Sequence, residues 1–360
     1  MFRGVRQRSK NGEQMHDTNQ KEAKLIKIDG RGNITSVAFL ADGKHVVSGG
    51  DEGKIRFWRV ENGREVGAPM NAGSFVRNIA VSQDGKWVVS GTTSGLVTVW
   101  NAESHSKVTE WGAHKDYVRA VDVSPDGTRI ASGSDDCTLC VWSLSTGKRL
   151  RKPLKHDNWV AAVKFSPNGC LIAATIWHRD VRVYDSQNGG LLVKFPVQVK
   201  STSNQSLAWA SDSKQLFALS RDGDIIYLDV STGTTLLKWA IHGNDNPRCI
   251  ALASNGTFIA VSAISSTSFW DTTTHEQIGS VIEHIQHEIA SMAISTDYDL
   301  ATAAGDRITV RNLCDVLPSP YFNDVSPLVS KVRCTSWLTS HNPLFFLACD
   351  SCSVSEKSHA

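Results

Sequence analysis

Residues 112–142 contain Gly112-Ala113-His114-Lys115-Asp116-Tyr117-Val118, then Ser124-Pro125-Asp126-Gly127, then Ser132-Gly133-Ser134-Asp135-Asp136, and finally Val141-Trp142. The closing piece has partners elsewhere in the chain. Lys54-Ile55-Arg56-Phe57-Trp58, Leu96-Val97-Thr98-Val99-Trp100, Thr138-Leu139-Cys140-Val141-Trp142 and Val181-Arg182-Val183-Tyr184 end on an aromatic residue at 58, 100, 142 and 184, a spacing of 42 three times running. Weaker members end at Leu228, Trp270 and Arg311. A second marker runs in phase: Asp42-Gly43, Asp84-Gly85, Asp126-Gly127, Asn168-Gly169 and Asn255-Gly256, with Asp212-Ser213 in the fifth unit. Asx-Gly supplies the positive φ that a tight hairpin turn needs. Alternating apolar residues flank each turn, so every unit reads as strand, turn, strand, turn, strand, and then a fourth strand.

A period near 42 with this ending is the signature of a β-propeller. The segment 112–142 resembles a WD-repeat, and the resemblance extends over about residues 24–314 in seven units. It implies an all-β fold: a seven-bladed β-propeller of four-stranded antiparallel blades. The strand at Lys24-Leu25-Ile26-Lys27-Ile28 precedes the first set. It is expected to complete the last blade, so that the ring has no free seam. The expected organisation is a polar, basic N-terminal tail at 1–22, the propeller at 23–314 and an irregular C-terminal extension at 315–360.

In the family the resemblance points to, a His, a Ser or Thr, an Asp and the Trp form a buried network in each blade. Buried Trp and His N–H groups need acceptors, and a hydroxyl and a carboxylate supply them. Only the third unit carries all four types: His114, Ser132 or Ser134, Asp136 and Trp142. The second unit has Ser94 and Gly73-Ser74 at the Asp and His positions. The fourth keeps His156 but has His178 and Tyr184, and the fifth keeps Asp222 beside Leu228. The third blade is therefore expected to be the most rigid, and these residues are read as structural rather than as a catalytic triad.

Composition and charge narrow the function. The chain has 360 residues, with 38 basic and 36 acidic side chains and a formal charge of +2. Such a balance provides no global field for nucleic acid or an anionic membrane. The longest apolar run, Leu344 to Cys349, falls far short of the roughly 20 residues that span a bilayer. Arg3, Arg6, Arg8 and Lys10 are not followed by an apolar core, so no secretory signal is read. The eight scattered Cys fit a reduced, cytoplasmic or nuclear setting. No phosphate-binding Gly loop, nucleophile elbow or His-Glu-x-x-His is present. Cys137 and Cys140 are read as packing residues. Cys334, His341, Cys349 and Cys352 have a spacing that matches no zinc module. No cofactor and no metal are expected.

Function is then sought on the surface. Ten residues before each turn Gly lie Asn33, Phe75, Tyr117, Trp159, Ser203 and Asn246, at the entry to the innermost strand. Two residues further lie Thr35, Arg77, Arg119, Ala161, Gln205 and Arg248. In the family these positions lie on the face near the central channel, where partners dock. Phe75, Arg77, Tyr117, Arg119 and Trp159, with Arg248, are thus candidate partner-binding residues. Two readings stand side by side: the aromatics cap the blade cores, or they face a partner. Recurrence of Arg beside them favours the second, with an acidic or phosphorylated segment as the partner. The expected function is a non-catalytic protein–protein interaction scaffold, a monomeric platform within a complex. Its rivals are the recruiting subunit of a ubiquitin ligase or signalling complex and an enzyme with a site in the central channel. For the first, the nearest match to a Trp-Asp-x-Arg signature is Trp270-Asp271-Thr272-Thr273. The second needs convergent acid and base groups where the innermost strands read mainly Val, Ala, Ile and Ser.

Overall fold

A computed structural model describes residues 25–199, 205–241, 247–284 and 288–322. The basic N-terminal cluster, Ser203, Asn246 and the Cys- and His-bearing residues beyond 322 lie outside this description. Seven separate four-stranded antiparallel sheets follow one another along the chain. In blade 3 the strands run Val118–Val123, Arg129–Ser134, Thr138–Ser143 and Leu154–Lys155, from innermost to outermost. Blades 1, 2, 4, 5 and 6 repeat the order, and blade 7 departs from it. Its three C-terminal strands, Ile289–Ile294, Asp299–Ala304 and Arg307–Asn312, take Leu25–Asp29 as their outer strand, with Leu25 opposite Arg311 and Asp29 opposite Arg307. The seven blades and the N-terminal closure are those the repeat predicts.

The expected turns also form. Gly43, Gly85, Gly127, Gly169 and Gly256 have φ between 63° and 74°, and Ser213 takes the same left-handed conformation at 60°. Asp42, Asp84, Asp126, Asn168, Asp212 and Asn255 each accept, through Oδ1, the backbone N–H two residues ahead. This Asx turn presets the hairpin before any long-range contact forms.

No single core lies at the centre. The buried side chains fall into seven clusters, one per seam between neighbouring blades. At one seam, Ala120, Leu139 and Val141 of blade 3 meet Val160, Phe165 and Ile172 of blade 4. The middle strands are therefore buried on both faces, which explains runs such as Arg129–Ser134, where only the first residue is not buried. Close approach at the seam requires Gly133, because a Cβ there would lie 2.6 Å from Val160 Cγ1.

The innermost strands are bulged. Pairing with the second strand skips one residue in five blades: Thr35, Arg77, Arg119, Ala161 and Ala290. A bulge frees one side chain from the sheet's alternation and re-aims it. The strands are tied across the seams. Ser36 Oγ accepts from Ile79 N at 3.0 Å, Asn78 Oδ1 from Val121 N at 2.7 Å, and Asp122 Oδ2 from Phe165 N at 2.7 Å. Ser291 Oγ accepts from Val37 N at 3.0 Å, joining blade 7 to blade 1.

Beyond the last strand, two short 3-10 turns, Leu313–Asp315 and Ser319–Phe322, carry the chain across blades 6 and 7. Leu317, Tyr321 and Phe322 pack against the seam that contains Phe258 and Leu313, and the Tyr321 hydroxyl donates to Asp271 at 2.9 Å. Residues 315–322, assigned from sequence to the extension, are thus packed on the ring.

Ile28 is 1% exposed and lies in the seam cluster with Ile34, Trp58, Ile308 and Val310. Ile28→Ala is expected to destabilise the chain by about 2–4 kcal/mol, read from the denaturant unfolding midpoint. An unchanged midpoint would mean that the N-terminal strand adds nothing to the folded ring.

Candidate partner-binding face

The blade network comes first, because it holds the loops that carry the candidate residues. In blade 3 the Trp142 indole N–H donates to Ser132 Oγ at 2.8 Å, and the same hydroxyl lies 2.7 Å from His114 Nε2. His114 Nδ1 is 3.0 Å from Asp136 Oδ2. Of the two serines open from sequence, Ser132 is the one in the network. Ser134 Oγ instead accepts from Asp136 N and bonds the Asp116 carbonyl, fixing the neighbouring turn. Thr138, not singled out from sequence, adds a hydroxyl bond to Asp136 at 2.6 Å.

The other blades keep parts of this arrangement. Trp58 bonds Ser48 at 2.7 Å and Trp100 bonds Ser90 at 2.9 Å. In blade 2, Ser74 and Ser94 meet at 2.8 Å where His and Asp stand in blade 3. In blade 4, His156 Nε2 meets the Tyr184 hydroxyl at 2.8 Å. Asp222 of blade 5 is a solvent-facing residue near Lys238.

Electrostatics follow burial. Desolvation opposes the charge on Asp136, but the hydrogen bonds from His114 and Thr138, the attraction of His114 and the Lys115 N–H outweigh it. Its carboxyl is held well below the usual carboxylate range. Burial, and then the charge of Arg182, pushes His156 down to about 4. Burial, and then Arg311, does the same for His284, also to about 4.

These loops place the candidate stripe at one end of blades 2–4. The entry to each innermost strand is tied to the turn after the second strand. Thr93 N bonds Phe75 O, Asp135 N bonds Tyr117 O and Trp177 N bonds Trp159 O, at 3.0, 3.0 and 2.9 Å. Phe75 and Trp159 are half-buried, and Tyr117 is 45% exposed. Arg77 and Arg119 are the bulge residues, which is why they leave the sheet. The Arg77 guanidinium lies 5.4 Å from the centre of the Phe75 ring. That of Arg119 crosses the seam and lies 4.7 Å from Trp159 and 5.3 Å from Trp177. The two indoles are 5.0 Å apart.

Asp135, which is 9% exposed, grips Arg119 through both carboxylate oxygens, with Nη2 to Oδ2 at 2.9 Å. Arg119 is therefore a fixed strut whose charge is already matched. Burial, and then repulsion from Arg119, pushes the Arg77 guanidinium below the ordinary arginine range. Arg248 stands at the entry to blade 6, paired with Glu288 at 2.6 Å, three blades from Arg119. Trp177 and Asp135 were not picked out from sequence. Their signal was there, one residue before the turn positions His178 and Asp136. The Cys137–Cys140 pair splits between a left-handed turn residue, φ 63°, and a buried strand residue, and no metal-binding cluster occurs among the described residues. No helix of the described residues is long and apolar enough to cross a membrane.

Two measurements follow. Ser132→Ala strands the Trp142 and His114 ring nitrogens and is expected to cost about 1–3 kcal/mol, read by denaturant unfolding; no loss would leave the network without an energetic role. The second is pH dependence. A His whose folded pKa is depressed binds its proton less well in the folded chain. The stability contributed by His156 and His284 is therefore complete above their unfolded pKa near 6.5. It is lost as pH falls toward about 4, by at most about 3 kcal/mol each. Asp136 adds a further loss as pH falls below its ordinary range. Unfolding midpoints between pH 7 and 3 check this, and Asp136→Asn should flatten only the most acidic part.

The sequence matches the family model of the WD domain, G-beta repeat, at residues 23–59, 69–101, 105–143 and 147–185. No curated protein matches the chain. The chain is thus a seven-bladed β-propeller whose first four repeat units are similar to WD repeats.

Proposed function

We propose that this protein is a non-catalytic docking platform whose partner sits on the end of blades 2–4, over Phe75, Arg77, Tyr117, Arg119 and Trp159. A WD-repeat propeller is in general a protein-interaction scaffold, and the finer reading rests on one observation. The Trp159–Arg119–Trp177 stack, clamped by Asp135, orders two aromatic faces beside the exposed Tyr117 ring. Rigid aromatic surfaces cost little entropy on binding and anchor interfaces. In this reading Arg77, beside the Phe75 ring, is the cation that an acidic or phosphorylated residue would meet. An approaching anion would offset the repulsion between Arg77 and Arg119. Arg248, paired with Glu288, is placed outside the docking surface in this reading.

The test is co-purification of partners with the wild-type chain and with Arg77→Ala/Tyr117→Ala. Both substitutions leave the Arg119–Asp135 clamp intact. Partners that bind this face should be depleted about tenfold or more, with unfolding midpoints unchanged. Equal retention of every partner by the variant would overturn the assignment.

A further inference from the structure

Blade 3 has an unusual outer edge. Between its third strand and Leu154–Lys155 runs Lys148-Arg149-Leu150-Arg151-Lys152-Pro153-Leu154-Lys155. Five of these eight residues are cations. Lys148, Arg149, Lys152 and Lys155 are exposed, and Leu150 among them is 52% exposed. Among the described residues, none of the five has a carboxylate within ion-pair distance. The backbone is only loosely tied to the sheet. Arg149 bridges Trp142, Leu150 N bonds Val141 O at 2.8 Å, and pairing resumes at Leu154.

Two features hold the segment in place. The Arg149 guanidinium lies 5.8 Å from the Trp142 ring centre. Arg151 turns inward and donates through Nη1 to the Ser186 carbonyl at 2.7 Å, an oxygen that Arg129 also uses. Arg151 Nε and Nη2 are buried with no hydrogen-bond partner. Two arginines thus share one carbonyl at the blade 3–4 seam, beneath a row of unmatched lysines. The sequence concentrates positive charge here despite a whole-chain charge of only +2.

Lys and Pro on a sheet edge also guard against edge-to-edge association. The other outer strands achieve this with far less. Even counted with the connection that leads into them, the outer strands of blades 1, 2, 4, 5 and 6 carry at most one Lys or Arg, and those of blades 2, 4 and 5 are ion-paired: Lys107 with Glu110 at 2.7 Å, Lys194 with Asp180 at 3.1 Å and Lys238 with Asp224 at 2.7 Å. Edge protection therefore does not account for the density on blade 3.

The shape of the charge identifies the partner. Because the rims of blades 2 and 4 are neutralised, the positive strip is confined to one segment of chain, a single blade edge wide. A lipid surface or a duplex would meet a broad basic face, and a single nucleic-acid strand would need exposed rings for its bases. Here the exposed non-polar residue is an aliphatic Leu150. We propose that residues 148–155 form a docking strip for an extended Asp/Glu-rich segment of a partner protein, with an apolar residue of that segment covering Leu150. This strip is separate from the blade 2–4 end and does not depend on that assignment.

The experiment uses the full chain and fluorescence anisotropy. The probe is a labelled peptide of about a dozen Asp and Glu residues with one central Leu, alongside its Gln/Asn counterpart, a leucine-free acidic peptide, a single-stranded oligonucleotide and phosphatidylserine vesicles. The acidic peptide should bind, more weakly as salt rises, and the Gln/Asn peptide should not. Lys148→Glu/Lys152→Glu/Lys155→Glu changes only exposed side chains, so the unfolding midpoint should hold while the dissociation constant rises about tenfold or more. Leu150→Ser should weaken the leucine-containing peptide and leave the leucine-free one unchanged. The proposal is overturned if the acidic peptide does not bind, if charge reversal leaves its affinity unaltered, or if the oligonucleotide or vesicles bind more tightly than the peptide.

Discussion

The structure depends on a strand pairing between the two ends of the ring. Leu25–Asp29 pairs with Arg307–Arg311, and Ser291 of blade 7 accepts the backbone N–H of Val37 in blade 1. Without this clasp, blade 7 would expose the strand Arg307–Asn312 as a free edge, and the seam around Ile28, Val46 and Ile308 would open to water. Closure over so long a chain is affordable because loop entropy grows only logarithmically with length. Each blade buries both faces of its middle strands against its neighbours, so every seam gains from the closure of all the others.

The ring was legible in the sequence because each blade must solve the same geometric problem. A hairpin needs a left-handed residue at a fixed place, and Gly43, Gly85, Gly127, Gly169 and Gly256 meet that need at the repeat period. Ser213 shows that the position sets the conformation even where Gly is missing. The Trp at the end of the third strand was legible for the same reason. Its N–H must find a hydroxyl on the neighbouring strand, as Trp58, Trp100 and Trp142 do.

What escaped the sequence lies in contacts between turns, within blades as well as across their seams. Arg77 and Arg119 were found by counting from the turn, but that these positions are bulged emerges only from the strand pairing. The Arg119–Asp135 clamp and the stacking of Trp159 on Trp177 join positions 16 and 18 residues apart through turns whose spatial approach only the folded blades reveal. The packing of Tyr321 and Phe322 on blade 6 was hidden for another reason: Pro318 and Pro320 break every periodic pattern, and the contact is made by irregular backbone. The same folded context separates two groups of cations. On the end of blades 2–4, guanidiniums are stacked on rings and Arg119 is matched by Asp135. On the rim of blade 3 the charges stand without carboxylates.

A platform of this kind works only if the ring behaves as one closed body. Native-state hydrogen exchange tests that most directly. If the clasp is integral, the amides of Leu25–Asp29 and Arg307–Asn312 exchange with an opening free energy equal to that of the central strands of blade 3, Arg129–Ser134 and Thr138–Ser143, because all open only with the whole ring. Exchange of the clasp amides through a much cheaper local opening, with blade 3 still protected, would contradict closure as the constraint that holds the molecule together.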